Sequence, residues 1–411
     1  MNKTVPIKQE YKQSPLGLIP NDWEVKKISD VADIKGGFAF DSFKFKSTGK
    51  YQVVKMSNLY ENNLDLGRSA SFLTEISQQE KDSLPRNGEI VITLTRTVGK
   101  RDYGYSFQIS TEENLLLNQR VAKIVTVKID SKYLYYEIKT NRFLNQFFYT
   151  ARGGTGNQAN VGTTDLAAIK IFYPPLPEQK AIAHILGLMD TAINQNNQLI
   201  AQKELRKKWL MQNLLTGKKR LKGFSGVWKE YKLDYFIEDY NEKPKEANNY
   251  EVLTSAKTGL MKQTDYYGDN RITNREDADY NVIPPNYLTY RSRSDDGLFT
   301  FNKNTLGITG LISGYYPVFT IKNGDLDFVL MYCNYYRQQL TKYSIGTSQL
   351  VLSMNALKSA NFTFPLFEEQ TAITQLLQAA NKEIQLLKTK TEKLREQKKG
   401  MMQQLLTGKK D

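Results

Sequence analysis

Residues 174–219 of the chain recur at 365–410 at a constant offset of 191 residues, with no gap. Pro174 meets Pro365, Glu178 and Gln179 meet Glu369 and Gln370, Ala181 and Ile182 meet Ala372 and Ile373, and the LLTGKK at 214–219 returns unchanged at 405–410. A gapless match of this length marks a duplication rather than a shared short motif. The chain must therefore fold one element twice, and the stretches before and between the copies must form domains of their own. The length of 411 residues, too great for one ordinary core, agrees with that.

Both copies read as long helices. The apolar series of the first copy is Ile182, Leu186, Met189, Ile193, Ile200, Leu210 and Leu214; that of the second is Ile373, Leu377, Ile384, Leu387, Leu394, Met401 and Leu405. With Asn196, Lys203 and Lys207 in the first copy and Ala380, Thr391 and Lys398 in the second, steps of four and three alternate along both, the heptad seam of a coiled coil. Asn196, Lys203 and Lys207 interrupt the first seam, so its middle is expected to pack less tightly. Prolines at 174, 175, 177 and 365 fix where the helices begin. Gly217 and Gly408 are placed to take a left-handed conformation after the last turn, and the lysines that follow favour the negative helix end. A helix from Glu178 to Leu215 would be about 57 Å long and cannot bury its stripe alone. Each could lie on its own domain or pair with another chain; the shared register and matched length favour pairing of the two copies within one chain.

The regions outside the helices repeat more faintly. GLIPNDWEVKKI (17–28) compares with GFSGVWKEYKL (223–233), YQVVKMSNL (51–59) with YEVLTSAKTGL (250–260), and LPRNGEIVITLTR (84–96) with IPPNYLTYRSR (283–293). Each half then has an aromatic-rich helical stretch (131–149; 325–343), a polar turn (GGTGNQ; IGTSQ) and a strand leading to the helix prolines. Short strands with Gly, Asn and Asp turns make these α+β domains. The expected order is an N-terminal arm (1–14), a first globular domain (15–173), a central helix (174–220), a second globular domain (221–364) and a C-terminal helix (365–411).

The formal net charge of +14 points to a polyanionic partner, nucleic acid before membrane. With 25 Tyr and 19 Phe the chain has the aromatics for real cores. Cys333 is the only cysteine, which excludes an internal disulfide and a thiolate metal cluster and suits a reducing cytosol. The opening MNKTVPIKQEYKQ lacks the apolar core of a signal peptide, and no run of about 18 apolar residues occurs. A soluble cytoplasmic protein is expected.

Two globular domains, each followed by a long helix that begins PLPEQ or PLFEEQ and ends LLTGK, resemble the specificity subunit of a Type I restriction–modification system over nearly the whole chain. The resemblance implies target-recognition domains that each read one half of a split double-stranded DNA site. It implies helices paired as an antiparallel coiled coil that sets the spacing, with the domains related by a pseudo-twofold axis. It also implies docking of two adenine-N6 methyltransferase subunits, to which two restriction subunits can add. S-adenosylmethionine, ATP and Mg2+ would belong to those partners, with no cofactor and no catalytic residue in this chain. The residues agree: there is no phosphate-binding GxxxxGK[ST] loop, no methyltransferase DPPY or NPPF sequence, and His184 is the only histidine. No clustered acidic motif suggests a metal. A free-standing coiled-coil DNA-binding regulator and a scaffold protein are the alternative readings.

Sequence choice on DNA needs base-edge contacts beside phosphate contacts. In the first domain TRTVGKRDYGY (95–105) offers Arg96, Lys100, Arg101 and Tyr103, and RGGTGNQ (152–158) offers Arg152, Asn157 and Gln158. In the second, RSRSD (291–295) offers Arg291 and Arg293, FNKN (301–304) offers Lys303 and Asn304, and IGTSQ (345–349) offers Ser348 and Gln349. Arginine suits guanine through a bidentate fork and lysine suits phosphate as a mobile charge. Any one of these is as readily a solvated loop charge, so the loops rather than the individual side chains are the expectation.

Overall fold

The computed structural model describes residues 11–97, 101–153, 158–245, 250–267, 280–347 and 349–408. By packing, the chain divides into two units, one of residues 1–197 with 389–411 and the other of residues 198–388. Each unit thus holds one α+β domain and a stretch of both long helices, which run Leu176–Leu214 and Phe367–Leu405.

The domains share one topology. In the first unit a four-stranded antiparallel sheet has the order Ser106–Gln108, Ile90–Thr93, Val121–Thr126, Ala32–Gly36. The second unit repeats it as Phe301–Lys303, Leu288–Tyr290, Val318–Ile321, Ile237–Tyr240. The strand Tyr51–Val54 pairs in parallel with Leu115–Leu117, as Glu251–Ala256 does with Gly310–Ser313. The strand that leads into each helix, Lys170–Tyr173 or Asn361–Phe364, returns to pair with the domain's opening strand, Glu24–Lys27 or Lys229–Lys232. The aromatic stretches are broken rather than continuous. The first is Ser131–Glu137 and Asn141–Tyr149, and the second is Leu326–Tyr335 with a 3-10 turn at Gln339–Tyr343. A short helix (Thr163–Ala168; Met354–Ser359), not evident in the sequence pattern, precedes each closing strand.

The glutamine of the repeated Glu-Gln pair explains its own recurrence. Gln179 is buried, accepts from the Asp130 N–H at 2.8 Å and donates to the Pro174 carbonyl at 2.8 Å. Gln370 does the same with the Asp325 N–H at 3.0 Å and the Pro365 carbonyl at 2.9 Å. Asp130 and Asp325 in turn cap the helices at Ser131 and Leu326 by accepting from Tyr133 and Phe328 N–H groups. One side chain therefore fixes the start of the long helix to the start of the domain's own helix, satisfying donors and acceptors that burial would otherwise orphan.

Within each unit the two helices run antiparallel. In the first unit Asp190 pairs with Lys398 at 2.5 Å and Asn197 with Arg395 at 3.4 Å; Ile182 and Leu186 share a core with Met401, Met402 and Leu405. In the second unit Lys207 donates to Asn381 at 2.7 Å, Glu204 pairs with Lys388 at 2.7 Å, and Leu214 packs with Ile373 and Leu377. Every apolar seam position is buried or half-buried, Ile200, Leu210, Ile384, Leu387 and Leu394 included. Asn196, Lys203 and Lys207 lie half-buried at the first helix's middle, where Lys203 is matched by Glu383. The helix ends take the expected left-handed glycines, Gly217 at φ 67° and Gly408 at φ 64°. Gly217 lies against the Trp228 ring and Gly408 against Pro20 and Trp23, where a Cβ would come within 2.6 Å of the proline ring. The LLTGK phrase is a helix end that seats a domain.

Candidate nucleic-acid interface

Each domain brings two chain-distant polar segments side by side. In the first, the strand Thr95–Thr97 pairs with Gln158–Asn160, placing Arg96 opposite Ala159; Gln158–Asn160 also pairs back on Arg152–Gly153. In the second, Arg293–Ser294 pairs with Leu350–Val351, and Ile345 bridges Val351 to close a hairpin. The equivalent segments thus form a small sheet at the same place in both folds. Glycine makes the second hairpin possible: Gly346 has φ +115°, and a Cβ there would collide with the Gln349 carbonyl.

The individual candidates separate sharply. Arg101 is exposed, donates to Asn145 Oδ1 at 3.0 Å and lies 5.3 Å from the Phe148 ring. Arg152 is 82% exposed at the side chain, with Asp165 at 3.4 Å. Lys100, Asn157 and Ser348 lie outside the described residues, and Arg96 and Gln158 are described in the backbone alone.

Three expectations need correction. Tyr103 is buried, packing edge-on to Phe148 and tilted against Phe147, and burial pushes its hydroxyl pKa up. It is a core residue. Asn304 is fully buried; it donates to the Ile283 and Ile308 carbonyls and accepts from the Leu306 N–H, so it holds a turn. Lys303 lies on a strand of the main sheet and gives its ammonium to Asp327 at 2.6 Å. Neither FNKN residue is presented to a partner.

In the second domain Arg291, Arg293 and Gln349 line one cavity of about 550 Å3 with Lys257, Asp295, Asp296 and Tyr315. The Arg293 guanidinium lies over the Tyr315 ring, 4.3 Å from its centre. Gln349 Nε2 donates to Asp295 Oδ1 at 3.0 Å, and Lys257 pairs with Asp296 at 3.0 Å. The Ser294 hydroxyl, then Lys257 and the Leu298 N–H, hold the Asp296 carboxyl well below the usual carboxylate range. Among the described residues Arg291 and Arg293 are the arginines of this site without a hydrogen bond or ion pair. Tyr315, Lys257 and the two aspartates were not among the sequence candidates. Tyr315 stands in SGYYP (313–317), a turn whose paired tyrosines were the one available signal.

A family profile for the Type I restriction modification DNA specificity domain matches residues 20–205 and again 228–396. The chain belongs to this family. The MjaVIII specificity subunit of a Type I restriction enzyme from Methanocaldococcus jannaschii is 33% identical over 222 residues, spanning 53% of this chain and 51% of that protein's length. The putative MjaX specificity subunit of the same organism is 24% identical over 98% of this chain and 96% of its own. Among solved structures, the S subunit of a Type I system from M. genitalium superposes with a TM-score of 0.58 at 14% identity, over 93% of this chain and 96% of that one. A chain solved in work on assembly and conformational transition of the type I R-M system gives a TM-score of 0.53 at 13% identity, over 95% and 99%. These likenesses bear on the fold. The twofold occurrence of the specificity domain coincides with the two copies of the small sheet.

No group of three His, Cys, Asp or Glu side chains able to hold a metal occurs among the described residues, and none of their helices is long and apolar enough to cross a membrane. Cys333 is buried and its thiol is pushed up to about 12, which keeps it protonated.

Proposed function

We propose that the chain is the DNA-reading subunit of a Type I restriction–modification enzyme and carries out no chemistry itself. Each domain reads one half of a split, asymmetric double-stranded target. The helices set the unread spacing and hold two adenine-N6 methyltransferase subunits, with which two restriction subunits can assemble. S-adenosylmethionine, ATP and Mg2+ act in those partners, and the complex works in the cytoplasm. The observation that carries this reading is the small sheet built twice on one topology from different residues, Thr95–Thr97 with the Arg152 hairpin in one copy and Arg293–Ser294 with Leu350–Val351 in the other, where Arg291, Arg293 and Gln349 line one cavity. Equal scaffolds with unequal reading edges are what two different half-targets require.

The test is methylome sequencing of a host that expresses the chain with its methyltransferase subunit. A two-part adenine motif with an unread spacer supports the reading; absence of any new methylated motif contradicts it. Lengthening both helices by one turn, after Asn196 and at the facing position of the second helix, is expected to lengthen the unread spacer. An unchanged spacer would refute the proposed role of the helices. Binding is expected to weaken steeply with salt because phosphates are neutralised.

A further inference from the structure

Among the described residues, two of the basic side chains near the second domain's small sheet are already committed, while Arg291 and Arg293 are not, and of these two only Arg293 lies over an aromatic ring. Lys257 is paired with Asp296 and Lys303 with Asp327. Arg293 differs. Its strand is fixed by pairing with Val351, and its guanidinium lies over the Tyr315 ring, while its N–H groups have no partner among the described residues. An arginine stacked on an aromatic face has surrendered much of its rotamer freedom before any ligand arrives, so forming a bidentate contact costs it less. The cavity that it enters also holds the carboxylates of Asp295 and Asp296. Two carboxylates repel phosphate, which makes this concavity a poor backbone clamp and leaves base edges as the surface that fits. In the major groove the group that accepts a planar two-donor fork is guanine, through O6 and N7.

Resting on the assignment of the chain as a DNA-reading subunit, we infer that Arg293, positioned by Tyr315, reads a guanine in the half-target of the second domain. Arg293 is then a specificity-determining residue, and Tyr315 acts through it as a positioning residue.

Two experiments on the assembled methyltransferase complex test this. In methylomes, Arg293→Ala and Arg293→Lys are expected to lose the requirement for guanine at one position of one half-target and to leave the other half unchanged. Tyr315→Phe is expected to keep the motif, and Tyr315→Leu to relax it at that same position. In binding assays with the unaltered complex, replacing that one guanine by 7-deazaguanine removes the N7 acceptor and is expected to weaken binding roughly tenfold. Arg293→Ala should be insensitive to the same replacement. A uniform loss of methylation without relaxation at any position, together with no 7-deazaguanine effect, would make Arg293 a backbone contact and overturn the inference. So would a second half-target that contains no guanine. If the unaltered chain directs methylation of no split motif, it is the DNA-reading assignment that fails.

Discussion

The two units solve the same joining problem with different chemistry. In each, a buried glutamine ties the helix start to the domain, and a carbonyl at the far end of the other helix is held by a domain side chain. In the first unit that holder is Arg142, whose Nη2 donates to the Leu406 carbonyl at 3.0 Å and to both oxygens of fully buried Glu137 at 2.7 and 2.8 Å, with its guanidinium 3.6 Å from the Phe172 ring centre. In the second it is the Tyr336 hydroxyl, a long 3.4 Å bond to the Leu215 carbonyl. The tryptophans differ likewise. Trp23 donates to Glu178 at 2.9 Å, whereas Arg220 occupies Glu369, the matching residue, and leaves the buried Trp228 N–H without a partner among the described residues. What the two copies keep in common is the backbone topology and the site of attachment; the polar groups at the joint differ.

The contrast can be broken most forcefully at Arg142. Arg142→Met strands the Glu137 carboxylate, which burial already pushes toward a raised pKa. It is expected to destabilise the first unit by about 3–5 kcal/mol, against about 1 kcal/mol for Tyr336→Phe. Denaturant unfolding of the full chain reads both, and equal losses would show the joints to be equivalent. A smaller difference is expected at the tryptophans. Trp23→Phe loses a hydrogen bond to a charged group, about 1.5–3 kcal/mol, while Trp228→Phe removes an N–H that has no acceptor among the described residues and should lose only ring contacts. A larger loss for Trp228→Phe would contradict the assigned bonding.

The smallest effect is a pH slope. Lys139 stands 3.4 Å from the Tyr135 ring centre, and burial, then the charge of Lys398, lower its pKa to about 7 despite Asp190 nearby. The unfolded chain therefore binds this proton between about 7 and the ordinary 10.5 while the folded one does not. Stability from this group rises with pH across that window and is level below it. Thermal midpoints of the first unit should climb from pH 7 to 9 more steeply in the native chain than in Lys139→Met; equal slopes would place the lysine in water.

Much of this comparison was written in the sequence, because helices and turns are local. The heptad seams and the glycine ends depend on neighbours within a few residues. The two candidate loops of the first domain meet, as do RSRSD and IGTSQ in the second, while FNKN lies on the main sheet. The failures came where a remote partner decides burial. Tyr103 in a glycine-containing basic stretch reads as exposed, yet Phe147 and Phe148 cover it. Asn304 reads as a polar loop tip, but its amide replaces backbone partners in a buried turn. Tyr315 went unseen for the same reason, since the ring matters only beneath Arg293.

The central claim is that each unit reads its own half of one split target. The most direct measurement is the methylome of a chimera in which residues 221–364 are exchanged for the corresponding domain of another member of the family, expressed with the methyltransferase subunit. One half of the methylated motif is expected to change to that of the donor, with the other half and the spacer length retained. A motif altered in both halves, or in neither, would contradict the account.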